Sequence, residues 1–110
     1  YVAEFRMNGR PVKALVDTGA SMVAINKSTA RRLGINVSPA DFIYEVNTAN
    51  GKAKVASAMI REIEIGRVRV RDVAAAVLDD KALDGTLLGM TFLKRLESFS
   101  VADGDLILKQ

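Results

Sequence analysis

The chain has neither cysteine nor histidine among its 110 residues. Without cysteine it can form no disulfide and has no thiolate nucleophile. Without histidine it lacks the Ser-His-Asp and Cys-His catalytic sites and the usual zinc sites built on imidazole and thiolate. Carboxylates, hydroxyls and lysines are therefore the groups left for chemistry. No apolar run approaches the ~20 residues that a membrane-spanning helix needs.

Aromatic residues are scarce, at 5%, in a chain that is basic, with 16 Lys and Arg against 13 Asp and Glu. A surface that binds nucleic acid needs an unpaired basic stripe, preferably with aromatic rings that stack on bases. The densest arginine run is RVRVR at 67–71, directly after the turn dipeptide Gly66-Arg67. Folding the chain about that turn places Glu62 and Glu64 opposite two of the three arginines. We therefore predict a solvated sheet face and no nucleic-acid partner.

Turn dipeptides divide the chain and predict four hairpins, about Asn8-Gly9, Asn50-Gly51, Gly66-Arg67 and Asp103-Gly104. In each case the folding brings apolar residues opposite apolar residues. About the second turn, Val46 would face Val55 and Tyr44 would face Ser57. These patterns predict an all-β, mostly antiparallel fold, organised as a single domain over residues 1–110.

Two short segments have helical signals. The stretch NKSTARRLGI at 26–35 has Ser28 as a possible N-cap and Gly34 as a stop, which predicts one or two turns. The stretch GMTFLKRLESF at 89–99 has apolar residues at helical spacing and predicts at most about three turns. The second segment would be the short helix in the C-terminal region.

An aspartate stands where an apolar strand runs out, in the stretch ALVDTGAS at 14–21. A charged residue at a strand end often does no more than close a hairpin. Here, however, Asp17 is followed by Gly19, then by a long polar hairpin, by LLG at 87–89 and by a helix directly after it. This order resembles the retropepsin-like aspartic proteases, in which one short chain supplies half an active site.

The resemblance implies a closed, barrel-like acid-protease half and a set of site residues. Asp17 would be the catalytic residue, supported in its loop by Thr18, Gly19, Ala20 and Ser21. The hairpin from Tyr44 to Ser57 would be the flap, with substrate contacts at Thr48, Ala49, Asn50 and Gly51. Leu87, Leu88 and Gly89 would pack behind the catalytic loop. In the family the threonine contacts its counterpart in the other subunit, which gives Thr18 that role.

A single aspartate cannot activate water against a peptide bond, because the reaction needs one carboxylate as base and one carboxylic acid to polarise the carbonyl. Two close carboxylates that share a proton supply both groups. The sequence has one DTG, and no other aspartate is framed in the same way. A homodimer would bring two copies of Asp17 together. The expected partner is an extended peptide or protein, no cofactor or metal is expected, and membrane contact would need an anchor upstream of this sequence.

Two alternatives to the dimeric protease remain open at this stage. One is a non-catalytic, dimeric peptide-binding module of the same fold. The other is a Ser-Lys hydrolase that uses Ser21 with a nearby lysine. Six apolar residues are candidates either for cleft walls or for core, namely Met22, Val23, Ile25, Ile43, Val46 and Met59.

The sequence departs from the viral members of the family at two positions. Those members carry an acidic residue just after DTGA and an arginine just after the glycine that precedes the helix, and the two residues form an ion pair. Here the positions hold Ser21 and Met90. Both partners are missing together, so no unpaired charge is buried, but the support around Asp17 must differ. The chain also ends in a hairpin after the helix, as in cellular and bacterial members.

Overall fold

Short strands make up most of the chain, and the computed structural model describes residues 1–48 and 51–110. The strands are β1 Val2–Met7, β2 Arg10–Val16, β3 Val23–Asn26, β4 Tyr44–Thr48, β5 Gly51–Ile65, β6 Val68–Leu78, β7 Leu87–Leu88, β8 Ser98–Ala102 and β9 Asp105–Lys109. The helices are α1 Lys27–Arg32 and α2 Met90–Leu93, with a 3-10 turn at Pro39–Asp41. In the described part of the chain, no helix is long and apolar enough to span a membrane.

Seven strands form one sheet in the order β1-β2-β7-β3-β6-β5-β4, and β8 and β9 form a separate two-stranded sheet. β1 also pairs with β5, so the large sheet returns to its first strand and leaves β4 outside the ring. Most pairs are antiparallel, but β7 runs parallel to β2 and β3 runs parallel to β6. This is the mostly antiparallel β architecture that the sequence predicts.

The pairing predicted for the arginine run is confirmed. Glu64 lies opposite Arg69 and Glu62 lies opposite Arg71 in the β5–β6 hairpin. Carboxylate and guanidinium atoms approach to 3.4 Å in the first pair and to 3.5 Å in the second. The arginines are exposed, so each pair contributes little to stability. The registers predicted about Asn8-Gly9 and Asp103-Gly104 are also confirmed.

The register predicted for the β4–β5 hairpin is wrong by two residues. Tyr44 lies opposite Val55 and Val46 lies opposite Ala53, rather than opposite Ser57 and Val55. Asn-Gly is the usual centre of a tight turn, but here the centre of the register falls one residue earlier in the chain. Because side chains alternate with a period of two, the shift keeps the same residues on the same face.

Helix α1 has a different N-cap from the one predicted. Asn26, not Ser28, caps it, and its Oδ1 accepts a hydrogen bond from the Thr29 backbone N–H at 2.9 Å. Asparagine is as good an N-cap as serine, and the preceding strand delivers Asn26 in the extended conformation that a cap needs. The predicted stop is confirmed, because Gly34 has a φ of +78°, the left-handed conformation that ends many helices.

Helix α2 is shorter than the predicted segment 89–99. It consists of the four residues Met90–Leu93, after which the chain turns and enters β8 at Ser98. Leu96 is buried at the same spacing that predicted a longer helix, but it lies in the turn. Burial of that leucine therefore explains the apolar pattern without a second helical turn.

The core lies inside the ring of strands and is closed by α2. Phe5 of β1 and Phe92 of α2 are fully buried and meet edge to face, with ring centroids 6.1 Å apart. This is a favourable aromatic geometry that adds to the burial of both rings. Ile25 and Leu88 are also fully buried. The strands that approach Asp17, β2 and β7, are therefore anchored in the core through Val12, Ala14 and Leu88.

Candidate active site

Asp17 lies directly after β2, at the point where the strand ends beside β7. Its backbone N–H donates to the Leu88 carbonyl at 3.1 Å, which continues the parallel pairing of the two strands. Its carboxylate Oδ1 accepts the Gly19 backbone N–H at 2.9 Å. The Ala20 N–H then donates to the Asp17 carbonyl at 3.2 Å and closes the loop. The carboxylate is thus oriented by backbone groups while it remains half-buried.

Gly89 allows the segment before α2 to pass directly behind this loop. A Cβ on Gly89 would lie 2.1 Å from the Met22 carbonyl oxygen and 2.7 Å from the Ala20 carbonyl oxygen. Only glycine leaves room for that approach, although its φ of −94° is open to any residue. The next residue, Met90, donates its N–H to the same Ala20 carbonyl at 2.9 Å. LLG therefore supports the loop through backbone contacts as well as through its leucines.

The two leucines of LLG have different surroundings. Leu88 is fully buried and lies opposite Val16 in the parallel pair. Leu87 is partly buried and lines the cleft described below. One leucine therefore anchors β7 in the core, and the other reaches the surface that faces Asp17.

Thr91 is a supporting residue that the sequence did not reveal. Its Oγ1 accepts the Val23 backbone N–H at 2.9 Å and donates to the Ala74 carbonyl at 2.7 Å. One hydroxyl thus joins the start of β3, the first turn of α2 and the middle of β6. The only local signal was a threonine directly after the Gly-Met pair, and its partners are 68 and 17 residues away.

A cleft of about 500 Å³ opens on one side of Asp17. Its walls come from the loop after β2, from β3, β4 and β6, and from the turn that follows β6. Among the described residues that line it, Asp17 is the only ionisable one, and the remainder are Gly19, Ala20, Ser21, Met22, Ala24, Val46, Asn47, Ala76, Leu78, Ala82, Leu83 and Leu87. A carboxylate at the base of an apolar cleft can act on a peptide whose side chains occupy the walls.

A second recess, of about 320 Å³, also borders Asp17. Asp17 and Thr18 line it, and Thr18 is exposed. The recess is otherwise formed by the start of the chain, the end of β2 and the β8–β9 sheet, through Tyr1, Val16, Phe99, Ser100, Val101 and Leu106. Asp17 therefore borders both the cleft and the recess.

The candidate wall residues divide between cleft, core and surface. Met22 and Val46 line the cleft, whereas Val23 and Ile25 are fully buried in the core. The remaining two do neither, since Ile43 is 67% exposed and Met59 is 52% exposed.

The positions that differ from viral members are also accounted for. Ser21 is exposed and lines the cleft, and Met90 packs against the core. At the predicted flap tip, Thr48 and Gly51 form the last pair of the β4–β5 ladder. Ala49 and Asn50 lie outside the described residues.

The turn after β6 carries Ala82 and Leu83 into the cleft, and two carboxylates fasten it to α1. The Asp80 carboxylate accepts the Ser28 N–H at 3.0 Å and also the Ser28 hydroxyl. Asp79 accepts the Lys81 N–H at 3.0 Å and lies 3.1 Å from Lys27 Nζ. The hydrogen bonds from Ser28 hold the pKa of Asp80 below its usual value. Those from Lys81 and Lys27 lower the pKa of Asp79 in the same way.

Comparison with known protein families shows which family the chain belongs to. Residues 3–95 match the sequence model of the family described as "gag-polyprotein putative aspartyl protease". The chain belongs to the retropepsin-like aspartic proteases. The match includes both the loop at Asp17 and the β4–β5 hairpin.

Solved structures agree with this membership. A retropepsin-like aspartic protease from Rickettsia conorii is 32% identical, with a TM-score of 0.79 over 98% of this chain and 88% of that chain. The EIAV protease complexed with the inhibitor HBY-793 is 20% identical, with a TM-score of 0.73 over 93% of this chain and 92% of that chain. At that identity, the second likeness shows the fold alone.

Two sequence relatives extend beyond the region that this chain covers. An uncharacterized protein encoded in the cobV 5' region of Sinorhizobium sp. is 39% identical over 103 residues, which are 94% of this chain and 44% of that protein. An uncharacterized protein of Rickettsia prowazekii (strain Madrid E) is 33% identical over 102 residues, or 93% of this chain and 43% of that protein. The chain thus spans less than half the length of these relatives.

Proposed function

We propose that this retropepsin-like chain, as a single domain over residues 1–110, is an aspartic endopeptidase that acts as a homodimer. The observation that carries the proposal is the setting of Asp17. Its carboxylate is oriented by the Gly19 N–H, and it opens onto a cleft of about 500 Å³ in which it is the only ionisable group of the described lining. A carboxylate so placed is suited to act on a peptide that lies in the cleft.

The chemistry requires two such carboxylates with one proton between them. The ionised Asp17 takes a proton from water as the water oxygen adds to the carbonyl carbon of the peptide bond. The protonated Asp17 of the partner subunit donates its proton to the carbonyl oxygen. The first Asp17, now protonated, then gives its proton to the amide nitrogen while the partner's Asp17 takes a hydroxyl proton from the tetrahedral diol, so the C–N bond breaks and an acid and an amine are released. The pair returns to its singly protonated state, and no covalent intermediate forms.

A two-fold axis close to Asp17 supplies the second carboxylate. Support comes from the second recess beside Asp17, where Thr18 is exposed next to Phe99, Val101 and Leu106 of the β8–β9 sheet. A surface of that kind is suited to contact with a second copy. In the dimer, Thr18 contacts its counterpart, and the two copies of Asp17 lie side by side.

The substrate in this proposal is an extended peptide or a segment of a protein. It lies between the loop at Asp17 and the β4–β5 hairpin, with its side chains against Met22, Val46 and Leu87. Backbone groups of the flap tip, from Thr48 to Gly51, complete its hydrogen bonds. Gly19, Ala20 and Ser21 shape the loop, and LLG at 87–89 holds it from behind.

The test is cleavage of a mixed peptide library between acid and neutral pH, with products identified by mass spectrometry. Wild-type protein is expected to cleave, and Asp17→Asn is expected to lose at least about a thousandfold in rate, because an amide cannot act as the base. The Asp17→Asn protein must show an unchanged circular dichroism spectrum. Wild-type and variant proteins that cleave equally well would rule out the role of Asp17.

The same experiment separates the alternatives. Folded dimers that bind peptides but cleave none of them would establish the non-catalytic binding module instead. Ser21→Ala tests the Ser-Lys hydrolase, since it should abolish turnover there and leave most of it intact in an aspartic protease. Ser21 lies on the cleft wall, so a moderate change in KM is the expected result of that substitution.

A further inference from the structure

A second groove, of about 360 Å³, adjoins the cleft on the far side of the turn that follows β6. Ala82 lines both the groove and the cleft. The groove is otherwise bounded by the start of α1, the 3-10 turn and the start of β5, through Lys27, Pro39, Phe42, Lys52, Ala53, Lys54 and Asp79. The cleft and the groove therefore meet at Ala82.

The charge along the groove is predominantly positive. Three lysines and one aspartate line it. Lys27 is held in position, because its ammonium lies 3.1 Å from the Asp79 carboxylate and 4.7 Å from the centre of the Phe42 ring. The other two lysines share one carboxylate, since Glu45 lies 3.6 Å from Lys52 and 3.7 Å from Lys54. One positive charge of that pair is therefore not balanced.

The strand that carries these two lysines has one edge that β6 does not cover. β6 ends at Leu78, opposite Val55, whereas β4 pairs with residues 51–55 on the other edge of β5. An extended segment could therefore lie alongside residues 52–54. Lys52 and Lys54 are two residues apart, so their side chains leave the strand on the same side, about 7 Å from one another.

We propose that this groove binds an acidic, extended stretch of the protein substrate, in which two acidic residues are separated by one residue. That spacing matches Lys52 and Lys54. Because the groove meets the cleft at Ala82, one substrate chain would occupy both, with its acidic stretch in the groove and the segment to be cleaved in the cleft. As a substrate-docking site the proposal rests on the proposed proteolytic function. Binding itself requires only the charges and the strand edge.

The experiment uses a fluorescein-labelled octapeptide of alternating Glu and Thr, and a matched peptide of alternating Gln and Thr, with binding followed by fluorescence anisotropy. Wild-type protein is expected to bind the Glu peptide about fivefold more tightly than the Gln peptide at low salt, and to lose the difference at high salt. Lys52→Gln combined with Lys54→Gln should remove the difference. Glu45→Gln should increase it about twofold, because it frees the shared lysines.

The matched control removes two exposed lysines from other surfaces, by Lys13→Gln combined with Lys94→Gln. It has the same net charge as the groove variant and should keep the preference for the Glu peptide. Equal loss in both double variants would mean that net charge alone attracts the peptide, and it would overturn the groove. Equal binding of the two peptides by wild-type protein would do the same.

Two further outcomes are decisive. A labelled oligothymidylate that bound more tightly than the Glu peptide, with the same dependence on Lys52 and Lys54, would overturn the peptide and identify a nucleic acid as the ligand. Preference for the Glu peptide in a protein that cleaves no library peptide would overturn the proteolytic function and leave the binding site. Cleavage of library peptides by a protein with no preference for the Glu peptide would overturn the groove and leave the proteolytic function. The two proposals therefore fail separately.

Discussion

At Gly89 there is no room for a side chain, because a Cβ would clash with the loop that follows Asp17. The two carbonyl oxygens that a Cβ would meet, those of Met22 and Ala20, belong to the backbone and cannot rotate away as a side chain could. The same loop orients Asp17, so a change at Gly89 is transmitted to the carboxylate through the peptide chain itself. Sterics at one atom therefore control both stability and the geometry of the site.

Gly89→Ala is expected to destabilise the protein by about 3 kcal/mol, because the added methyl forces the two segments apart. Urea denaturation followed by circular dichroism measures the loss. Gly9→Ala is the control, since nothing lies within 4 Å of a Cβ there and only the φ of +80° is unfavourable. That control should lose about 1 kcal/mol. Equal losses at the two positions would contradict the close approach.

Thr91→Val is expected to destabilise the protein by about 1–3 kcal/mol. Valine keeps the shape of threonine but leaves the Val23 N–H and the Ala74 carbonyl without the hydroxyl that joins them. Thr91→Ser keeps the hydroxyl and should lose only about 1 kcal/mol through its missing methyl. Urea titrations of the two variants decide the matter, and a serine variant weaker than the valine variant would show that packing, not hydrogen bonding, matters here.

Among the secondary-structure elements, strand pairs joined by a tight turn can be predicted from the sequence. Strand pairs that no turn connects cannot. The hairpins about Asn8-Gly9, Gly66-Arg67 and Asp103-Gly104 were read correctly, because a short turn fixes the register of both strands. The parallel pairs of β2 with β7 and of β3 with β6 have no such turn, since long stretches of chain separate their strands. Nothing in either strand indicates its parallel neighbour.

The candidate site follows the same division. Asp17, Gly19 and LLG at 87–89 could be found because they form a recognisable motif in chain order. The supports at Thr91 and Asp80 could not, because each acts through a partner 68 or 52 residues away. Long-range hydrogen bonds of single polar residues leave no periodicity in a sequence. The N-cap at Asn26 was missed for a smaller reason, since Ser28 is an equally good cap two residues later.

The turn after β6 should make the protein sensitive to acid. Asp79 and Asp80 have lowered pKa values in the folded state, so their contribution to stability is complete above the unfolded carboxylate value, near ~3.9, and is lost as pH falls through the folded values. The midpoint of thermal unfolding should therefore begin to fall below about pH 4. Asp80→Asn should flatten that fall, and a thermal series between pH 2 and pH 7 would measure it.

Asp103→Asn provides the control for this series. It also removes an exposed aspartate from a turn, but at the β8–β9 hairpin, far in sequence from α1. Its thermal profile should keep the acid fall of the wild type. An Asp80→Asn profile parallel to that of the wild type throughout would mean that Ser28 and Asp80 contribute nothing to the pH dependence.

At the scale of the whole molecule, the decisive quantity is the number of chains in one active site. The family match extends from residue 3 to residue 95, and the chain holds a single DTG, at 17–19. If each active site needs Asp17 from two chains, a dimer of one active and one inactive chain should have no activity. Catalysis by a monomer predicts no such effect.

Wild-type and Asp17→Asn chains refolded together at a ratio of one to three test this point. Random pairing leaves each wild-type chain with an active partner in roughly a quarter of its dimers, so activity per wild-type chain should fall to roughly a quarter of its unmixed value. Lys13→Gln in place of Asp17→Asn removes an exposed charge from another surface and should leave activity per chain unchanged. A constant activity per wild-type chain in the Asp17→Asn mixture would rule out the shared site.

The division of β5 between two neighbours has a consequence for hydrogen exchange. β4 pairs with residues 51–55 of this 15-residue strand, whereas β6 pairs with it from Val55 onward, inside the ring. Amide hydrogens at 52–54 should then exchange through local opening of the hairpin, and those at 56–63 only when the whole domain unfolds. One continuous strand thus belongs to two cooperative units. Substitutions in its first residues should therefore leave the free energy of unfolding of the rest of the domain unchanged.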